Sequence, residues 1–244
     1  MKNLFLSKIT LMICLASAVA QAQSAKYELT ITNGSLMPLS PALVYTKNGT
    51  ESAAAVGSTP TAGFIQICQS GNTSTRTSEL KSNSSVTFVT QSTGPIMPGE
   101  SRVVEVDVAN FQAQSIHLET MYGKTKDTCG VAAISSHSLV ALKQHLISEV
   151  IIKDNTVLTD AFVDPTLPRG MTYLDPSICP AAMNAISCVR ELAAANTKKA
   201  QVRFFAGYSP SLIMALESKF GAADVQTLIF PTSGAIQLKL KLKH

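Results

Sequence analysis

Apolar and polar residues alternate through much of the first half of the chain, the period of a half-buried strand. Tyr27, Leu29 and Ile31 alternate with polar partners until Asn33-Gly34 turns the chain. Pro38 and Pro41 then bracket Leu39-Ser40, and the apolar pattern resumes at Ala42–Tyr45. Each proline fixes its own φ and pushes its predecessor toward extended geometry, which suits an edge or sheet-switching strand. Further strands are predicted at 62–68, at 85–90 around Val86 and Phe88, and at 102–108. In the last of these Val104, Val106 and Val108 share a face, and the turn Pro98-Gly99 leads into it. Residues 115–123 set Ile116, Leu118 and Thr120 on one side and His117 on the other.

The second half changes character. Residues 138–146 and 180–196 have helical composition, and 201–205 returns to strand. Ser209 then stands as an N-cap with Pro210 at the first helical position, an apolar face of Leu212, Ile213, Leu216 and Phe220, and a stop at Gly221. The chain closes on a strand with Ile236, Leu238, Leu240 and Leu242 on one face and Lys239, Lys241 and Lys243 on the other. These patterns predict a mainly β protein, an antiparallel β-sandwich with helical elaboration in the C-terminal half. With no repeat and no convincing linker, residues 23–244 read as one domain.

The first 22 residues stand apart. Lys2 and Lys8 precede an apolar run from Ile9 to Ala20, with small residues at Ala18, Ala20 and Ala22. That is the form of a secretory signal peptide cleaved after Ala20 or Ala22. Ile13 before Cys14 argues against lipid attachment, which needs a small residue there. No later segment is long and apolar enough to predict a membrane span. The expected product is an exported protein, periplasmic or secreted. Without Lys2 and Lys8 the formal charge of +4 falls to about +2, a balance that gives no support to nucleic-acid binding. Four sequons, at Asn33, Asn48, Asn72 and Asn83, are expected to mark exposed turns.

Candidate chemistry is sparse. Cys68, Cys129, Cys179 and Cys188 survive export, and an even count in an oxidising compartment reads as two disulfides with three connectivities open. No CxxC pair favours zinc. The stretch around Gly207–Ser209 imitates a nucleophile elbow, which makes a secreted serine hydrolase using Ser209 with His137 or His145 the enzymatic alternative. Against it, Pro210 has no N–H to give an oxyanion, and Ser211 stands where the second glycine belongs. His137 and His145 are eight residues apart, roughly 12 Å along a helix, too far to share a metal. With His117 and His244 they are expected on the surface. A third reading is an envelope structural subunit.

The stretch Tyr27–Thr46 resembles the start of the spondin domain, typified by the amino-terminal part of F-spondin and by bacterial exported proteins. The resemblance rests on Ile31-Thr32-Asn33, Ser40-Pro41 and Val44-Tyr45-Thr46. It continues in order through 63–72, with Gln69 where glutamate is usual, through Pro98-Gly99, and through 116–134. There Met121, Thr125 and Asp127 match, Lys126 replaces an asparagine and Cys129 an aromatic residue. It covers residues 26–134.

This resemblance implies a non-enzymatic adhesion or interaction module binding an extracellular or envelope protein or glycan. Family members hold calcium near the turn that corresponds to Asp127. One aspartate cannot supply six to eight oxygens, so Asp154, Asp160 or Asp164 would have to join it, and Lys124 and Lys126 oppose the cation. The family's placement of the segments at loop ends implies pairing of Cys68 with Cys129. The local pair Cys179–Cys188 then requires a bend near Pro180, because nine helical residues span roughly 13 Å.

Overall fold

The computed structural model describes residues 24–49, 55–123, 128–159, 172–174, 189–191, 200–207, 214, 217, 222 and 233–243. Its main sheet is antiparallel throughout. In chain order the elements are β1 (Ala25–Asn33), β2 (Leu43–Asn48), α1 (Ala62–Ser70), α2 (Ser74–Ser82), β3 (Val86–Gln91), β4 (Ser101–Val108), β5 (Gln114–Met121), β6 (Thr128–Ile134), α3 (Ser136–Lys143), β7 (Val150–Leu158), β8 (Thr172–Leu174), β9 (Val189–Glu191), β10 (Arg203–Phe204) and β11 (Ser233–Leu242). The strand order is β3-β2-β5-β6-β7-β11-β1-β4, with β10 added to β7 and β8–β9 forming a separate pair.

The sheet is a nearly closed sandwich, and β7 is its corner. Its first residues pair with β11 and its last four, Asn155–Leu158, with β6. The inner faces of both layers meet in one core. Tyr27, Leu29 and Ile31 of β1, Val104, Val106 and Val108 of β4, and Ile236, Leu238 and Leu240 of β11 face Val44, Ile116, Leu118 and Ile134. Complete burial of each such aliphatic side chain is worth about 1.5–3 kcal/mol, so the alternation read from the sequence specifies the register. Helix α3 closes one end, its Leu139 and Leu142 in the same core and the Leu139 carbonyl accepting from Tyr27 Oη at 3.1 Å.

The segment 62–68 is helical, where the apolar run predicted a strand. Phe64, Ile67 and Cys68 are buried at helical spacing, Thr61 caps the start by accepting from Phe64 N, and Gly71 ends the helix in the left-handed region at φ 69°. Short apolar runs do not separate strand from helix, and here the caps decide. Helix α2 follows at once. Gly63 lets the two helices touch, since a Cβ there would lie 2.6 Å from the Arg76 backbone. The described helices therefore lie mostly in the first half. In the stretch 180–196, expected to be helical, Val189–Glu191 instead pairs with Thr172–Leu174. Tertiary pairing overrides a modest helix propensity.

Strand β2 switches layers but is no edge. It lies between β3 and β5, and the segment through Pro38 and Pro41 carries the chain there from the layer of β1.

Candidate functional site

Strand β5 is buried along its whole length because both its faces are covered. Ile116 and Leu118 face the sandwich core. On the opposite face Leu43, Tyr45, Cys129 and Val131 pack with Phe64, Ile67 and Leu80 of the helical pair. Arg76 joins helix to sheet. Its Nε and Nη2 donate to the two Glu119 oxygens, each at 2.8 Å, and its Nη1 donates to Glu79 at 3.0 Å. Tyr45 Oη adds a bond to Glu119 at 2.9 Å. Burial opposes the Arg76 charge, but hydrogen bonding and attraction from Glu119 outweigh it, so the guanidinium is held protonated more firmly than usual. For Glu79, burial is outweighed by bonds from Thr61, Gly63 N and Arg76, and its pKa falls.

Cys68 and Cys129 are disulfide-bonded, their Cα atoms 5.2 Å apart, which fastens α1 to β6. Closing a loop of 61 residues is worth about 4 kcal/mol by chain entropy. Cys179 and Cys188 lie outside the described residues.

His117, expected on the surface, is 1% exposed. It stacks on Tyr45 with ring centroids 5.0 Å apart, and its Nε2 lies 2.7 Å from Ser115 Oγ. Among the described residues its Nδ1 has no hydrogen-bond partner. Burial, aided by the charges of Lys47 and Arg76, lowers its pKa to about 4. His137 lies on the exposed side of α3, and His145 follows that helix with φ 56°.

Asp154, named above as a possible calcium ligand, is 1% exposed and serves the interior. Between Ser233 and Gln237, β11 slips in register against β7, so four residues advance against two. Asp154 Oδ1 accepts from Ile236 N at 2.9 Å, and Gly234 N also bonds to the carboxylate. Tyr122 Oη donates to Oδ2. Burial raises the Asp154 pKa despite these donors. A carboxylate consumed in satisfying a β-bulge is not free to reach a loop ion. Asp127, Asp160, Asp164 and Ser209 lie outside the described residues.

Residues that carried the resemblance meet at one joint. The Asn33 side chain donates to Met37 O and Ile96 O at 2.7 and 2.8 Å, so this sequon asparagine is buried, not exposed. Its backbone bonds Gly99 N and Glu100 O. Ser40 N donates to Met121 O at 3.0 Å, and Met121 N to Ser40 Oγ at 2.9 Å. Leu39 bridges both Ile96 and Tyr122.

A concavity lies elsewhere, where the sheet fails to close. Between the start of β1, the edges of β3 and β4 and the end of α3 is a cavity of about 560 Å³. Its apolar lining is Ala25, Phe88, Val108 and Ala109, and its charged lining is Lys26, Asp107, Lys143 and Lys243. No sequence pattern marks this site, since its parts come from five elements: β1, β3, β4, α3 and the end of β11. No helix among the described residues is long and apolar enough to cross a membrane. Searches with protein-family models and against curated proteins find no match to this chain.

Proposed function

We propose that the chain is an exported, non-enzymatic binding module of spondin type, engaging a protein or glycan of the cell envelope or extracellular space. The observation that carries this reading is the joint formed by Asn33, Ser40, Gly99 and Met121. These residues are distant in sequence and belong to separate motifs of the resemblance, and they hold the layer-switching segment between two other loops. A rigid sandwich with its buried charges bonded internally suits presentation of a surface. Calcium, if it contributes, is held weakly at Asp127 with Asp160 or Asp164 and without Asp154.

The test is retention of envelope proteins and glycans by immobilised residues 23–244, with and without calcium. Saturable retention that survives Ser209→Ala is the expected outcome. Ester hydrolysis abolished by Ser209→Ala would replace this reading with the hydrolase. Concentration-dependent self-assembly in sedimentation, with no retained ligand, would replace it with the structural subunit.

A further inference from the structure

The two ends of the strand order, β3 and β4, approach one another without forming a ladder. Arg102 of β4 ties one end of this seam, donating to Thr93 O at 3.3 Å and Pro95 O at 3.2 Å. Toward Phe88 and Val108 the strands part around the cavity, which falls within the roughly 300–1,000 Å³ common for small-molecule sites. The mouths of β-barrels are frequent places for such sites, and this seam opens at the end of a nearly closed sheet. The floor is continuous with the main core, for Ala25, Phe88 and Val108 all pack against it.

The charges at the rim are unequal. Lys26 is paired with Asp107 at 3.1 Å, and Lys243 with Glu105. Lys143, the last residue of α3, has no bonded partner among the described residues. A cleft of mixed lining, with Ala25, Phe88 and Ala109 beside Ser24 and Thr87 and one uncompensated ammonium at its edge, combines two kinds of complementarity, for a tail and for a negative head.

We propose that the seam binds an anionic amphiphile, a long-chain carboxylate with its tail on Ala25, Phe88 and Ala109 and its head beside Lys143. Other occupants fit less well. An inserted peptide strand needs two strand spacings, roughly 9.5 Å, between its neighbours. Arg102 clamps β4 to the segment after β3 at Thr93 and Pro95, so the seam is not open along the length that an added strand needs. A small inorganic anion would leave the apolar floor uncovered. The site stands apart from the adhesion reading, and either can fail alone.

Calorimetry of the exported chain with dodecanoate, below its micelle concentration, tests the assignment. Saturable one-to-one binding is expected, with no binding of acetate and at least about tenfold weaker binding of dodecyltrimethylammonium. Lys143→Glu should weaken dodecanoate by about tenfold or more. Ala109→Trp, at an exposed lining position, should block the cleft and do the same. The second variant keeps the test decisive if the first is poorly folded in circular dichroism. Absence of saturable binding, equal binding of the cationic amphiphile, or indifference to the substitutions overturns the proposal.

Discussion

The outer faces of the two layers are built on the same antiparallel ladder and treat charge in opposite ways. On the layer of β1, β4 and β11, lysines pair with carboxylates in water: Lys26 with Asp107, and Lys239 and Lys241 with Glu149. On the layer of β2, β5 and β6, a helical pair covers the sheet and encloses Arg76 with Glu119. The exposed pairs are screened and contribute roughly 0–1 kcal/mol each. The enclosed pair is costly to bury and more costly to break, because removal of Arg76 strands the Glu119 charge without water and removal of Glu119 leaves Arg76 with Glu79 as its acid partner. Covering a face therefore turns a marginal interaction into a strong constraint on where the helices sit.

Removing the enclosed acid should break this contrast most sharply. Glu119→Ala leaves Tyr45 without its acceptor and Arg76 with Glu79 as its acid partner, and a loss of about 4 kcal/mol is expected in denaturant melts, within the range for a severed buried pair. A loss below about 1 kcal/mol would mean that the covered face behaves like the open one.

Acid probes the same face through His117. Its folded pKa of about 4 lies below the ordinary 6.5, so below pH 6.5 the unfolded chain binds a proton that the folded chain resists. Stability is then complete above pH 6.5 and declines as pH falls to 4, by about 3 kcal/mol from this group. The parent should lose that much more than His117→Gln between pH 7 and 4, measured as the difference between their melts. Parallel curves would show that burial does not tune this imidazole.

The smallest effect is expected on the open face. Lys26→Ala removes a pair whose side chains are 64% and 52% exposed, and should change stability by less than about 1 kcal/mol, with that change shrinking further in added salt. A larger, salt-resistant loss would make the two faces alike.

The record of individual elements follows the same division. Where one side of a strand meets the core and the other meets water, the sequence was sufficient: β1, β4 and β11 bury the residues that their alternation selects. Where a second layer covers the strand, the polar half of the alternation lost its meaning, and His117 and Glu119 were buried although their positions pointed away from the core. The run at 62–68 carried the right hydrophobic residues for either a strand or a helix. Only the fit of Gly63 on Arg76 and the bond from Cys68 to Cys129 explain its final place. Asp154 read as an acid available to calcium because the slip that it repairs in β11 lies some eighty residues later in the chain.

The amino-acid sequence by itself determined the β-rich class, the inward face of the main strands, the proline-bracketed switch between layers and the cysteines available for bonding. Those properties follow from period, φ restriction and residue type, which are local. The closure of the sheet, the face chosen by the helical pair, the burial of Arg76 with Glu119 and the open seam between β3 and β4 were decided by tertiary structure. They depend on which distant surfaces meet, and desolvation acts only once those surfaces have met.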